Sequence, residues 1–311
     1  MLFGEHAVLH GGTAVVAAIN RYVQVTLTPR ADERVLIKTV FGKRQFANLQ
    51  ELKAAVLDDY ILAGIAVNLP LIRLGFELAV STDLPIGVGL GSSTAVLVAT
   101  LGVINWWLLS RRPSQLTLHR QAMAALKKIK KNSSGADIAA SLAGGVVEYR
   151  GNPCTIKKIA PTLPLITLYS GNKLATSVVV KIVNEKARRF PAVIDQLYDL
   201  ISNSAKLVAN RLRKGALLEV GELMDVSYGF QKALGVDSPA LDKLVTILKE
   251  TPGILGAKIS GAGLGDCVIG LGKASNNKAF LEKIRTEGLL KPLAVKVSSV
   301  GIVYLKRTVN E

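Results

Sequence analysis

Three stretches of this chain combine residue types that do chemistry. The first, GVGLGSSTA at Gly87–Ala95, alternates three glycines with apolar residues and then sets two serines against a long apolar run. Glycine enters positive φ without strain, so Gly87, Gly89 and Gly91 let successive amides turn into one concavity around Leu90. Ser92, Ser93 and Thr94 then open a helix, where hydroxyls cap free amides and the dipole draws an anion. A serine hydroxyl at that place, Ser93 above all, also reaches a magnesium ion bridging phosphates. No lysine follows, and the stretch does not sit after a first strand. It is therefore neither a Gly-rich loop ending in Lys-Ser/Thr nor a dinucleotide fingerprint. A capped turn before a helix is the plainer reading, and this stretch alone does not separate it from a phosphate cradle.

The second stretch shifts that balance. KISGAGLGDC, Lys258–Cys267, runs a strand into Gly261, Ala262, Gly263 and Gly265. Glycine turns at two distant sites are harder to explain as loop chemistry. The third is LFGEHAVLHGGTAVV, Leu2–Val16, where Glu5 and His6 are polar within an apolar strand-turn region. Each alone reads more readily as a satisfied buried polar group.

The elements that must position these residues follow from periodicity. Thr13–Ile19, Tyr22–Leu27 and Val35–Val40 read as strands, Asn48–Asn68 as a helix, and Ile72–Ser81 as a strand leading into the first glycine stretch. Ala95–Leu109 (AVLVATLGVINWWLL) is expected to be a fully buried helix. It is shorter than the ~20 apolar residues of a membrane span, and Thr100 and Asn105 interrupt it. Leu116–Lys130 and Ser133–Leu142 read as helices, and Val146–Tyr149 as a strand. The Gly/Pro-containing stretch Gly151–Pro164 marks a domain boundary. Beyond it come a strand at Leu165–Tyr169 and helices over Thr176–Arg213, broken at Pro191. Leu217–Leu234 and Pro239–Glu250 are further helices, and Ala257–Ser260 and Cys267–Leu271 are strands. A helix near Lys278–Glu287 precedes two closing strands, Ala294–Val297 and Ile302–Leu305. Strands and helices mix without regular βαβ spacing, which favours an α+β protein of two lobes.

Composition narrows the partners. The chain has 311 residues, 49% of them hydrophobic, enough to build two domains around substantial cores. Its net charge of +16 favours an anionic partner. The basic residues are scattered, with KKIKK at Lys127–Lys131 the densest cluster, and only 5% of residues are aromatic. Small phosphorylated or carboxylated ligands therefore suit it better than nucleic acid. Cys154 and Cys267 lie far apart without metal-ligand spacing, pointing to a reducing, cytoplasmic compartment. The amino terminus has an acid and two histidines where a signal peptide would run apolar, and no membrane partner is expected.

Together and in this order, the three stretches resemble the motifs of the GHMP kinase superfamily, and GEHAVLHGG within them resembles mevalonate kinases. A galactokinase would continue its GEH with Thr-Asp-Tyr, which is absent. SSGAD at Ser133–Asp137 is similar to the family's Pro-Ser-Gly-X-Asp, while LGVDSPALDKL (Leu234–Leu244) and YSGNKLATS (Tyr169–Ser177) also look mevalonate-kinase-like. The resemblance covers nearly the whole chain.

It implies a ribosomal-S5-like amino-terminal domain, residues 1–155, and a ferredoxin-like carboxy-terminal domain, residues 156–311. It implies ATP and Mg²⁺ as cofactors, with a primary hydroxyl of mevalonate or a related hydroxy acid as acceptor. Gly87, Gly89, Leu90, Gly91, Ser92, Ser93 and Thr94 would hold the ATP phosphates, and Ser93 the metal. Asp137 would be the general base. Glu5, His6, Ser134, Gly135, Gly261, Ala262 and Gly263 would line the acceptor site. A homodimer is compatible with the family.

Two departures stand out. The family usually begins Ala-Pro-Gly-Lys before its first strand, and Met1 stands just past the place of that lysine. Slow turnover is the expectation for the sequence as it stands. The magnesium-binding glutamate of mevalonate kinases would fall near Leu126, yet no acid lies between Gln121 and Ser134. A phosphomevalonate kinase, a diphosphomevalonate-decarboxylase-like relative and a nucleotide-binding protein without kinase activity therefore stay open.

Overall fold

The computed structural model describes residues 1–55, 59–83, 89–129 and 133–306. Gly87, Lys130, Lys131 and the Val56 stretch of the expected Asn48–Asn68 helix lie outside these. The chain divides into two compact units, each assembled from separate segments.

Unit 1 comprises Met1–Asn20, residues 85–90 and Gly144–Ser299. It carries β1 (Thr13–Ala17), β6 (Val146–Gly151), β7 (Cys154–Ala160), β8 (Leu165–Tyr169), β9 (Ile254–Ser260) and β10 (Cys267–Gly272). Its helices are α6 (Thr176–Arg189), α7 (Pro191–Arg213), α8 (Leu217–Leu234), α9 (Pro239–Lys249) and α10 (Asn277–Thr286). One antiparallel sheet runs β1-β6-β7 and a second runs β8-β10-β9. Leu2, Phe3 and Val15 share a core with Val208 and Leu212 of α7 and Ile269 of β10.

Unit 2 comprises Arg21–Leu84, Gly91–Ala143 and residues 300–311. Here β2 (Val23–Pro29), β5 (Phe76–Thr82), β3 (Val35–Thr39) and β4 (Gly42–Phe46) form one sheet in that spatial order. Five helices accompany it among the described residues: α1 (Leu49–Ala54), α2 (Tyr60–Asn68), α3 (Ser92–Leu109), α4 (Gln115–Ile129) and α5 (Ala136–Ala143). Val35, Ile37, Phe76 and Leu78 of the sheet pack with Ile61, Leu62 and Ile65 of α2 and Ile104 of α3.

Several expectations need correction. The division at 155/156 falls inside β7, because β7 pairs with β6 and β6 pairs with the amino-terminal β1. That ladder ties the expected linker into unit 1. The closing segments are not strands. Residues 294–297 make a single bridge, Val297 to Ile19. Ile302 donates one amide to Leu142 O, and Tyr304 stands edge-on to Trp106 of α3. They are anchored by side-chain packing and isolated bonds, not by a ladder. Nor is α3 fully buried: 39% of it is inside, mostly the stretch from Leu97 to Asn105. By length and composition it is the one described helix able to cross a membrane.

Glycine brings α8 down onto the open edge of the second sheet. A Cβ on Gly256 would stand 2.0 Å from Gly221 O, and one on Gly221 would stand 2.3 Å from Leu255 O. The approach lets Gln231 exchange hydrogen bonds with both the amide (3.2 Å) and the carbonyl (3.0 Å) of Ile259, covering an edge that would otherwise be free. Gly256→Ala forces α8 off the strand. It is expected to cost about 1–3 kcal/mol by urea denaturation, as overpacking does.

Candidate active site

In unit 2 the site is built from two helix starts. Gly91, at φ +78°, ends the glycine loop in the left-handed region and delivers the chain into α3. Its N-cap, Gly91, has no side chain to cap the helix, and the first-turn amides of Ser92, Ser93 and Thr94 lie at the positive end of an 18-residue helix, which favours an anion. Ser93 is exposed there and Ser92 half-buried.

Asp137 lies in the first turn of α5. Gly135, at φ +81°, makes the bend before it, and Ser134 Oγ accepts the amide of Ala136 at 3.3 Å. The buried His119 of α4 hydrogen-bonds the Gly135 backbone, and burial holds its pKa below the usual value. A neutral imidazole thus fixes the turn that carries Asp137. The Asp137 carboxylate stands against the glycine loop: a Cβ on Gly91 would lie 3.7 Å from both its Cγ and Oδ2. The carboxylate itself is exposed. The sequence motifs GLGSST and SSGAD therefore meet, an acid beside a helix start open to anions.

In unit 1 the amino-terminal motif meets the second glycine turn. Gly4, at φ +92°, is pressed so close to β1 that a Cβ would stand 2.3 Å from Thr13 O. This bend turns Glu5 and His6 inward, both only 5% exposed. His6 Nε2 lies 2.8 Å from the carbonyl of Ala262. A carbonyl only accepts, so Nε2 carries the proton. Burial is the largest influence on His6 and lowers its pKa, leaving a neutral ring whose Nδ1 is an acceptor.

Glu5 has a partner that sequence reasoning passed over. Lys258 of β9 donates to Glu5 Oε1 at 2.5 Å and to Ile259 O at 2.6 Å, with the ammonium 5.7 Å from the centre of the Phe3 ring. The lysine side chain is fully buried. Its burial drags its pKa down while Glu5 works against the fall. The motif KISGAG offered a signal, since a lysine in an otherwise apolar strand must find a carboxylate once buried.

The second turn is pinned beneath this pair. Leu264 donates its amide to Val236 O at 2.7 Å, and a Cβ on Gly263 would stand 2.4 Å from the same oxygen. Asp266 extends toward the first glycine loop: a Cβ on Gly89 would lie 2.3 Å from its Oδ1. Within unit 1 the structure thus joins Glu5, His6, Gly89, Gly261, Ala262 and Gly263 around two glycine turns.

Comparison with known proteins identifies relatives of the whole chain. Residues 54–145 match the GHMP kinases N terminal domain, and residues 205–288 match GHMP kinases C terminal. The chain is similar to the mevalonate kinase of Archaeoglobus fulgidus, 30% identical over 290 residues, covering 93% of this chain and 95% of that protein. It is also similar to the mevalonate kinase of Pyrococcus horikoshii, 27% identical over 329 residues, covering 97% and 94% respectively. The solved structure of L. major mevalonate kinase in complex with R-mevalonate superposes with a TM-score of 0.75 at 22% identity, over 97% of this chain and 94% of that one. Two family models, a relative at 30% identity and a shared fold lead to one assignment: this chain belongs to the GHMP kinase family.

Proposed function

We propose that this protein transfers the γ-phosphoryl group of ATP to the primary hydroxyl of mevalonate. The observation that carries the reading is the Asp137 carboxylate against Gly91, at the uncapped start of α3. Similarity to the archaeal mevalonate kinases over nearly the full length supports the acceptor.

Phosphoryl transfer leaves a protein mainly positioning and charge neutralisation to do. The amides and dipole of α3, with Ser92, Ser93 and Thr94, suit the phosphates of ATP, because Gly91 leaves a cradle that a side-chain cap would have filled. Asp137 accepts the hydroxyl proton as the new P–O bond forms and the bond to the departing β-phosphate oxygen breaks. Glu5 and the Nδ1 of His6 serve the acceptor, as do Ser134 and the Gly261–Gly263 turn.

Mg²⁺ neutralises charge on the nucleotide phosphates when bound. Among the described residues no group of three or more His, Cys, Asp or Glu could hold a metal ion. Magnesium does not require such a cage, since it keeps waters and leans on substrate phosphates with one or two protein oxygens. Ser93 Oγ fits that donor set. Two cysteines set far apart in the sequence support a reducing cytoplasmic setting, and the partner is a small molecule.

The test is steady-state turnover with Mg·ATP and mevalonate, with phosphomevalonate and galactose as competing acceptors. ADP release dependent on mevalonate is expected. Release dependent on phosphomevalonate alone would reassign the acceptor, and tight ATP binding without turnover on any acceptor would sink the kinase reading.

A further inference from the structure

The Asp266 carboxylate has no role in the chemistry above, yet it stands at the first glycine loop. Its place is built, not incidental. Asp266 sits at φ +67°, a backbone that non-glycine residues rarely hold and that Asp and Asn tolerate best. Both of its backbone groups are pinned: its amide donates to Asn172 O at 2.8 Å and its carbonyl accepts the amide of Ser170 at 2.9 Å. Leu264, two residues earlier, is also in the left-handed region at φ +55°. Strain of this kind persists where surrounding structure holds it, and it concentrates at functional sites.

The turn so fixed holds a side chain that is only 9% exposed. A Cβ on Gly89 would lie 2.3 Å from Asp266 Oδ1 and 2.7 Å from Cγ, while a Cβ on Gly261 would lie 3.7 Å from Oδ2. The carboxylate therefore stands between the two glycine turns, against the loop assigned to ATP phosphates.

A phosphate bound at the Gly89 turn and this largely buried carboxylate would repel each other. The arrangement becomes favourable when a divalent cation lies between carboxylate and phosphate, taking one oxygen from each. We propose that Asp266 is the protein carboxylate that binds the nucleotide's divalent cation, directly or through one of its waters. The proposal rests on the reading of the glycine loop as the ATP phosphate site.

Asp266→Asn tests it, because asparagine is at ease in the left-handed region and keeps the turn. Asp266→Gly, which the same backbone also accommodates, is the second variant should the first fold poorly. Binding of Mn²⁺ to the complex of protein with a non-hydrolysable ATP analogue is followed by electron paramagnetic resonance. Binding of the analogue alone is followed by calorimetry in EDTA. Relative to wild type, the variants should lose about tenfold or more in Mn²⁺ affinity for the complex while binding the metal-free analogue more tightly, a modest share of the charge interactions at these distances. Unchanged Mn²⁺ affinity overturns the proposal, even if metal-free binding tightens, since Asp266 would then be only an anion that yields to phosphate. If wild type binds the analogue neither with metal nor without it, the phosphate-site reading falls and takes this proposal with it. If wild type binds and turns over but the variants keep its Mn²⁺ affinity, this proposal alone falls.

Discussion

Replacing Asp137 with asparagine should lower kcat by roughly 10²–10⁴, the range a positioned general base contributes. The substitution is close to isosteric. It leaves the bend at Gly135, the bond from His119 to that backbone and the first turn of α5 in place. What it removes is the ability to take a proton from the acceptor hydroxyl. ATP affinity should hold or rise slightly, because a negative charge is withdrawn from beside Gly91 and the start of α3. Steady-state kinetics separates the outcomes: a fall in kcat at nearly constant KM for ATP fits a base. A rise in the acceptor's KM with kcat preserved would make Asp137 a binding residue instead.

Lys258→Met should destabilise the fold by about 3–5 kcal/mol, as removing one partner of a buried ion pair does. Methionine fills much of the lysine's volume, so packing is a minor part of the loss. The cost comes from Glu5, a carboxyl only 5% exposed that would be left buried without the ammonium now 2.5 Å away. Adding Glu5→Gln to Lys258→Met should return much of the stability, because no carboxyl is then left stranded in the core. Urea denaturation of the two single variants and the double variant gives the coupling between the sites. Additive losses would show that the pair is not the unit that matters.

Much of this arrangement was legible in the letters. Leu217–Leu234 was read as one helix and Pro191 as the break between α6 and α7, because periodicity and proline are local signals. The glycine loop and SSGAD announced themselves through backbone requirements that few residues meet. Other features depended on partners far along the chain. The strand β4, GKRQF, is mostly polar and lies at a sheet edge, so it shows little of the apolar alternation that marks strands. β7 follows Gly-Asn-Pro and was taken for a linker, although Tyr149 pairs with Ile156 across the hairpin. Ala294–Val297 alternates like a strand but finds only one bridge. Lys258 and Asp266 were in plain view within KISGAGLGDC. Their significance depends on Glu5 and Gly89, which no spacing rule connects to them.

The interrupted make-up of unit 1 has a consequence for synthesis on the ribosome. Strand β1 is made well before its partner β6, which follows only after the segments of unit 2 from Arg21 to Ala143. At typical translation speeds of roughly 5–20 residues per second, β1 waits on the order of ten seconds for that partner. During the wait Leu2, Phe3 and Val15 have none of the later core residues to cover them. The order of emergence instead favours the β2-β5-β3-β4 sheet and its helices, whose strands all appear before Asp83. Ile302 and Tyr304 reach α3 only after Gly144–Ser299 of unit 1 has been made. A nascent chain stalled near Ala143, before β6 is made, would thus carry most of unit 2 and a sticky, unpaired β1 segment, the kind of surface that recruits chaperones.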